Sequence, residues 1–421
     1  MQYKNIIKLI GLQGLNEKFI AKNIEASKDK EIIVYMETKK QKTCCPKCGN
    51  ITEDRKDDKD KDLGHGYIFG NKCIINLKYI RYKCKCCNST FYEDISELCT
   101  KYKRHTNASI LSVMDNLKNA RSSVKEISKN TGMDYRFINE LIALEVGCKG
   151  LGNITELPEN IGIDEFKGNM KVLINGKRYK IKYQIQITDL DTGKVVALLP
   201  IKDNKCIEEF LSGIKNRKEV KTVAIDMSMQ FKRTFLDYFK NCKIIIDYFH
   251  VTKLVTTAVD NIRLELWRKY SGDKSKEAKE IKKYLKSLKH LLLTDYEACT
   301  NESYKNKIDT RLNEVFAHLP ELKLAYEGLQ TFYDIKRKKD PEDKVNVFKS
   351  WFNNLLTNNI GIYDRISRTI HHWYRYILNS YRITYSNGTT EGNNNLIKVL
   401  KRVSFGFGNF ENAKNRILLY C

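Results

Sequence analysis

Along residues 160–200 apolar positions alternate with polar ones at the period of strands, and along 250–400 they recur every three or four residues at the period of helices. That change predicts a sheet followed by a helical region. Ile161-Gly162-Ile163-Asp164-Glu165-Phe166 reads as a strand ending in acid. Tyr179, Ile181, Tyr183, Ile185 and Ile187 alternate as a second strand, and Val195 to Leu199 reads as a buried third strand after the turn Asp191-Thr192-Gly193. Three strands in hairpin order form a meander. Next come a helix (Ile207 to Ile214), a strand (Val220 to Ile225) ending at Asp226, a helix (Gln230 to Phe239) and a strand (Cys242 to Ile246) ending at Asp247. Such alternation requires parallel strands, so the sheet is expected to be mixed, the arrangement of an RNase H-like α/β domain.

From Val251 to Tyr385 the pattern is helical nearly throughout, as in Lys279-Glu280-Ile281-Lys282-Lys283-Tyr284-Leu285, and predicts a large all-α insertion. A last helix opens near Thr389, after the turn and capping residues Ser386-Asn387-Gly388. Its apolar stripe is Leu396, Val399, Leu400 and Val403; Glu391, Asn395, Lys398 and Arg402 share the opposite face. A solvated amphipathic helix has the same pattern. The upstream strand ends supply the partners that single out Glu391.

In the N-terminal third, Glu31 to Met36 is the best strand of a short β lead-in. Cys45-Pro46-Lys47-Cys48 and Cys84-Lys85-Cys86-Cys87 then flank a charged loop and a strand-like run, Lys72 to Tyr82, in the layout of a zinc ribbon with a long spacer. Cys45, Cys48, Cys84 and Cys87 have the spacing of a closed four-thiolate Zn²⁺ shell, with Cys44 and Cys86 beside them as alternatives. Cys73 is expected to be a small core residue and His65, in Gly64-His65-Gly66, a loop residue. From Asn107 to Val146 three short helices follow. Ile110, Leu111, Val113, Met114 and Leu117 make the first apolar stripe, Ser123-Val124-Lys125-Glu126 is a capping box, and Asp134 caps a third helix that turns Ile138, Leu141 and Ile142 inward. This is a helix-turn-helix shape that leaves Tyr135, Arg136 and Asn139 facing outward for double-stranded DNA; small trihelical units also serve as protein–protein modules, and the basic charge is what favours DNA. Gly147 to Asn160 reads as a linker.

Charge sharpens the choice of partner. Lys plus Arg number 75 against 51 Asp plus Glu in 421 residues, a formal net charge of +24, which favours a polyanion and above all nucleic acid. No apolar run approaches the roughly 18 residues of a membrane span, so no membrane partner and a cytoplasmic, nucleoid-associated location are expected. Thirteen cysteines, an odd number without a signal peptide, argue for metal rather than a disulfide framework. The sheet edge beyond Asp164 and Asp226 is where an open α/β sheet binds ligands. With Glu391 the two form an all-oxygen site suited to Mg²⁺ or Mn²⁺, and two such ions about 3.5–4 Å apart support phosphoryl transfer. Any one strand-end aspartate is more often a cap.

Five segments carry a family resemblance: Ile161 to Phe166, Thr222-Val223-Ala224-Ile225-Asp226-Met227-Ser228, Ile245-Ile246-Asp247-Tyr248-Phe249-His250-Val251-Thr252-Lys253-Leu254, Ser386 to Asn394, and Leu400-Lys401-Arg402-Val403-Ser404-Phe405-Gly406-Phe407-Gly408-Asn409-Phe410. With the two knuckles they resemble, in order along nearly the whole chain, the transposases of the IS L-three insertion sequences. The resemblance implies a DDE transposase with Asp164, Asp226 and Glu391 as catalytic triad, zinc at the knuckles, and a helix-turn-helix that recognises terminal inverted repeats. It also implies a homo-oligomer that pairs two DNA ends and then attacks target DNA. Asp247 matches a family motif and ranks below the three as a metal ligand; His250 is assigned to phosphate positioning, proton transfer or a structural hydrogen bond. Lys398, Lys401 and Arg402 are expected to hold the DNA backbone. The doubled Cys44 and the extra Cys86 depart from the family pattern. The expected division is 1–104 β lead-in and zinc unit, 105–150 helix-turn-helix, 151–250 first part of the catalytic core, 251–385 helical insertion and 386–421 the core's C-terminal helix. The rivals are a non-catalytic DNA-binding regulator derived from such an enzyme and a structure-selective nuclease.

Overall fold

The structure, a computed structural model, describes residues 4–27, 30–101, 103–357 and 363–420. Its chain forms two compact units. One comprises Met1–Asn153, Met170–Lys180 and Asn395–Cys421, the other Ile154–Asn169 and Ile181–Asn394.

The first unit opens with α1 (Lys4–Leu9), β1 (Phe19–Ala26), β2 (Glu31–Thr38), β3 (Thr43–Cys44), β4 (Ile51–Thr52), β5 (Arg55–Ile68), β6 (Asn71–Lys83) and β7 (Thr90–Tyr92). Strands run in the order β1-β2-β6-β5, with β7 on β6. Alternating residues of these strands, Val34, Met36, Leu63, Ile75 and Leu77 among them, bury one face around Phe19. The charged loop expected between the knuckles is instead β5, half of a long hairpin. Its charges sit opposite compensating partners across the hairpin: Asp57 lies beside Arg81 in register and 3.5 Å from it, and Asp62 accepts a 2.7 Å hydrogen bond from Asn76. His65 also lies in this strand rather than in a loop. A register shift between Gly64 and Gly66 turns it inward, where its ring nitrogens lie 2.7 Å from Thr106 Oγ1 and Ile10 O. Cys73 is fully buried, as expected of a core residue.

Three helices follow, α2 (Asn107–Leu117), α3 (Val124–Thr131) and α4 (Tyr135–Cys148). Thr106, Ser123 and Asp134 cap them by accepting from the backbone N–H groups of Ser109, Glu126 and Arg136, and Gly132 at φ +70° ends α3. Val113, Leu117, Ile127, Ile138, Ile142 and Val146 are buried. Leu111, placed in the apolar stripe by its pattern, is 65% exposed, because two residues from Val113 it lies on the far side of the helix.

The second unit holds β8 (Asn160–Phe166) and, after β9 (Met170–Ile174) and β10 (Lys177–Ile181), which fall almost wholly in the first unit, β11 (Gln184–Asp189), β12 (Val195–Leu199), α5 (Asn204–Ser212), β13 (Thr222–Ile225), α6 (Met229–Tyr238) and β14 (Lys243–Ile246). The sheet order is β12-β11-β8-β13-β14, antiparallel across the first three strands and parallel across the last three. The run Tyr179 to Ile187, expected as one strand, breaks at Lys182-Tyr183. Its first half is β10, which pairs with β9 in a separate hairpin, so the meander is interrupted.

Period-2 alternation gives the sheet two unlike faces. Ile161, Ile163, Ile185, Ile187, Val223, Ile225, Ile244 and Ile246 form one, wholly aliphatic and buried in a core shared with the helical region. That region comprises α7 (Tyr248–Lys269), α8 (Lys276–Ser287), α9 (Lys289–Leu293), α10 (Glu302–Phe316), α11 (Pro320–Arg337), α12 (Pro341–Thr357) and α13 (Tyr363–Arg382). Phe332, Phe348 and Trp351 anchor it, each ring worth a few kcal/mol of burial. α13 also closes the edge of β14: the Ile246 N–H donates to Ser380 Oγ at 2.7 Å and Asn379 donates to the Ile244 carbonyl at 3.0 Å. The other face carries Gln184, Gln186 and Thr188 on β11, Gly162 and Asp164 on β8, Ala224 on β13 and Ile245 on β14. Over this polar face lies the start of α14 (Gly388–Val403); α15 (Phe410–Tyr420) ends the chain and packs in the first unit against α4.

Candidate active site and cysteine knuckles

Register places the acids. Ala224 pairs with Gly162 across the parallel strands and Ile225 with Ile246, so Asp226, just past β13, continues beside Asp164 on one side and Asp247 on the other. All three fall on the polar face by strand parity. Burial raises the pKa of Asp164 to about 6, and the neighbouring Asp226 charge adds to this against the pull of the Glu165 N–H and His250. Burial likewise raises Asp226, while Lys202 and His250 hold it down. Asp226 Oδ1 and Asp247 Oδ2 are buried with no hydrogen-bond partner among the described residues. Asp247 spends its other oxygen capping α7 through the Phe249 N–H at 3.0 Å.

Glu391, in the first turn of α14, completes a tight set with Asp247 and His250, whose ligand atoms all lie within 4.8 Å of one another. Asp164 and Asp226, expected to join Glu391, are not part of that set, although the register puts them on the same polar face. Crowded carboxylates carrying orphaned oxygens are a costly arrangement for folding and a fitting one for hard divalent cations.

A chain of amides fixes α14 on the sheet. Gln186 donates to the Thr390 carbonyl at 2.7 Å and to Asn394 Oδ1 at 2.8 Å, and Asn394 in turn donates to Asp164 Oδ2 at 2.7 Å. Gly162 makes the approach possible. A Cβ there would lie 2.7 Å from Asn387 Oδ1, 2.8 Å from Leu190 Cδ2 and closer still to Thr390 Oγ1. The buried side of α14 is accordingly Thr390, Asn394, Ile397 and Leu400, whereas Val399, expected in the apolar stripe, is 40% exposed. Its stripe begins with polar residues because the surface beneath them is polar. Lys398 and Arg402 are exposed and Lys401 half-buried, as are Tyr135 and Arg136 exposed and Asn139 half-buried on α4.

Gln186, Asn394, Glu165 and Lys202 escaped the sequence reading. Lys202 forms an ion pair with Glu165 and stands over the Phe231 ring. Gln184 and Gln186 did carry a signal: amides alternating with isoleucines mark a strand whose second face is buried yet polar, and both are fully buried.

The knuckles converge on a second centre. Sγ atoms of Cys45, Cys48, Cys84 and Cys87 lie within 4.8 Å of one another, with Cys45 to Cys87 at 3.7 Å and Cys48 to Cys84 at 3.6 Å. Tetrahedral zinc with Zn–S bonds of about 2.3 Å separates its sulfurs by about 3.8 Å, so the four fit zinc without rearrangement. The Ser89 hydroxyl holds the Cys45 thiol below its usual range, whereas hydrogen bonds from the other thiols raise Cys48, the mutual opposition expected of four thiols crowded together with no cation between them. Cys44 turns away and donates to the Gly49 carbonyl at 3.0 Å.

Residues 161–417 match the family model described as a transposase, of the DDE type found in IS L-three elements. The chain belongs to that transposase family. Its matched span runs from the second residue of β8 through α14 and most of α15, and so contains Asp164, Asp226, Asp247 and Glu391. A Lactococcus lactis subsp. lactis protein named ATP-dependent protease is 40% identical over 104 residues, covering 24% of this chain and 31% of that one. The chain thus spans about a third of that relative's length. Among the described residues no helix is long and apolar enough to cross a membrane.

Proposed function

We propose that the protein is a DNA transposase that binds the terminal inverted repeats of its own insertion sequence and carries out strand cleavage and strand transfer on an RNase H-like core. The observation that carries this reading is that Asp164, Asp226 and Asp247 end neighbouring strands on one polar face while Glu391 of α14 lies close to Asp247 and His250, in a member of a transposase family. Asp164, Asp226 and Glu391 are the catalytic ligands, with Asp247 and His250 as accessories. Bound there, a pair of Mg²⁺ or Mn²⁺ ions would supply Lewis-acid stabilisation for in-line displacement at phosphorus. The chain's own residues do the positioning. Asn394 fixes the Asp164 carboxylate, the Lys202–Glu165 pair tempers the charge next to Asp226, and His250 lies where it can hold a phosphate oxygen. Lys398, Lys401 and Arg402 hold the DNA backbone, and Tyr135, Arg136 and Asn139 on α4 meet base edges of the repeats. Zn²⁺ at Cys45, Cys48, Cys84 and Cys87 stiffens the end-binding unit. Two copies pair the two ends and bring them to target DNA.

A DNA-binding regulator has no use for carboxylates that burial makes costly, and here that cost is visible in the raised Asp164 and Asp226. The test is cleavage of DNA carrying the element's ends in Mg²⁺ or Mn²⁺, wild type against Glu391→Gln. Cutting at the boundary by the wild type and a loss of at least a thousand-fold in the variant are expected. Specific binding without cutting by either protein would favour the regulator, and cutting without strand-joined products the nuclease.

A further inference from the structure

Beside the acids lies an open depression of about 600 Å³ lined by Lys202, Asp203, Asn204, Lys205, Met229, Gln230 and Arg233. It sits where the loop after β12 enters α5 and where the chain leaving Asp226 enters α6. Lys202 belongs to both places: it lines the depression, pairs with Glu165 and lowers the pKa of Asp226. Asp203, the acid in the lining, is engaged in capping α5 through the Cys206 N–H at 3.0 Å. Lys205 and Arg233 are exposed; Lys205 reaches Glu209 only at 4.0 Å, and Arg233 has no ion pair among the described residues. Next to Arg233, Lys232 stacks on Trp373 and Tyr376 at 5.0 and 4.7 Å, so a second cation adds to the field.

A cluster of carboxylates repels the phosphates it must act on. A fixed cation at similar range offsets that repulsion. A concave group of cations adjoining Asp226, in which Lys205 is held only at 4.0 Å by Glu209 and Arg233 by no acid among the described residues, meets that need. We propose that this depression is a seat for the phosphodiester backbone of the DNA strand that carries the bond to be cut, gripping it without regard to sequence. The inference rests on the proposed transposase reading, and it makes Lys205 and Arg233 positioning residues.

The experiment uses the full-length zinc-loaded protein carrying Glu391→Gln, so that DNA is bound and not consumed, and a single-stranded oligonucleotide with EDTA absent and no Mg²⁺ added. Lys205→Glu/Arg233→Glu is compared with Lys276→Glu/Lys279→Glu, which makes the same charge change on exposed α8 positions. The slope of log Kobs against log salt is expected to fall by about 1.4 in the first variant, two phosphate contacts on a single strand, and by much less in the second. Lys205→Arg/Arg233→Lys should restore it. In protein that keeps its native Glu391, with Mg²⁺ added, the first pair of reversals should raise the KM for end DNA at least ten-fold with a smaller change in kcat. An unchanged slope, or equal falls in both reversed variants, overturns the seat. A wild type that never cuts while the seat variant still loses its salt dependence would instead sink the transposase reading and leave the seat standing.

Discussion

At the scale of single residues, the site is a set of charges the fold would rather not bury. A carboxyl whose pKa is raised on folding weakens the native state as pH climbs from its unfolded value near 3.9 through its folded value, and above both the full penalty is present. For Asp164, held up at about 6 by burial, that penalty at pH 8 has a ceiling of roughly 3 kcal/mol. Asp164→Asn removes the charge while its amide oxygen still accepts from Asn394 or the Glu165 N–H. Metal-free Asp164→Asn is therefore expected to unfold about 1–2 kcal/mol later than the wild type at pH 8, with the gap closing by pH 4, and Mg²⁺ should stabilise the wild type alone. Denaturant melts at the two pH values check this; a wild type as stable as the variant at pH 8 would mean the buried charge costs nothing. Asp164 and Asp226 stand out in the sequence as acids at apolar strand ends, and Glu391 as the acid heading the polar face of an amphipathic helix. Gln186 shows there only as an amide alternating with isoleucines; its contacts, like those of Asn394 and Gly162, depend on what approaches from more than two hundred residues away.

Elements followed the sequence where a single period dominated. β8, β12, α5, α6 and the helices of the insertion lie where apolar spacing placed them, whereas β5 was hidden because Arg55 to Asp62 has no apolar partner positions at all. Its strand character comes from cross-strand pairing with β6, a property of two segments together. That hairpin has a consequence for the metal. Unlike an isolated zinc finger, the sheet carrying the knuckles owns an apolar core of Phe19, Val34, Met36, Leu63, Ile75 and Leu77. Chelation, or Cys48→Ser, should release one zinc per chain and melt the knuckles without melting the sheet. In hydrogen exchange the amides of Cys45, Gly49 and Cys84, bonded to the Asn50, Cys45 and Ser89 carbonyls, should lose protection at least ten-fold while those of Ile75 and Leu77 keep theirs. Loss of protection throughout would show that metal holds the sheet as well.

At the scale of the molecule, the residues proposed for affinity and those proposed for chemistry fall into different compact units. Tyr135, Arg136, Lys398, Lys401 and Arg402 belong to the unit built from Met1–Asn153, Met170–Lys180 and Asn395–Cys421, and Asp164, Asp226, Asp247 and Glu391 to the other. α14 contributes Glu391 and Asn394 to one and Lys398 onward to the other. A net charge of +24 already predicts binding that weakens steeply with salt, but it does not say which cations matter. The division does: removing cations of the first unit should alter how tightly duplex ends are held and leave the chemical step alone. For Lys401→Ala/Arg402→Ala the slope of log Kobs against log salt on end duplex should shrink by about 1.8, two phosphates on B-DNA, with sequence preference unchanged. At saturating DNA its cutting rate should stay within about three-fold of wild type, the converse of Glu391→Gln, which should keep the wild-type slope and lose cutting. Filter binding across a salt series, paired with single-turnover cleavage, separates the two; a Lys401→Ala/Arg402→Ala protein that binds normally and cuts slowly would place those cations in the chemistry instead.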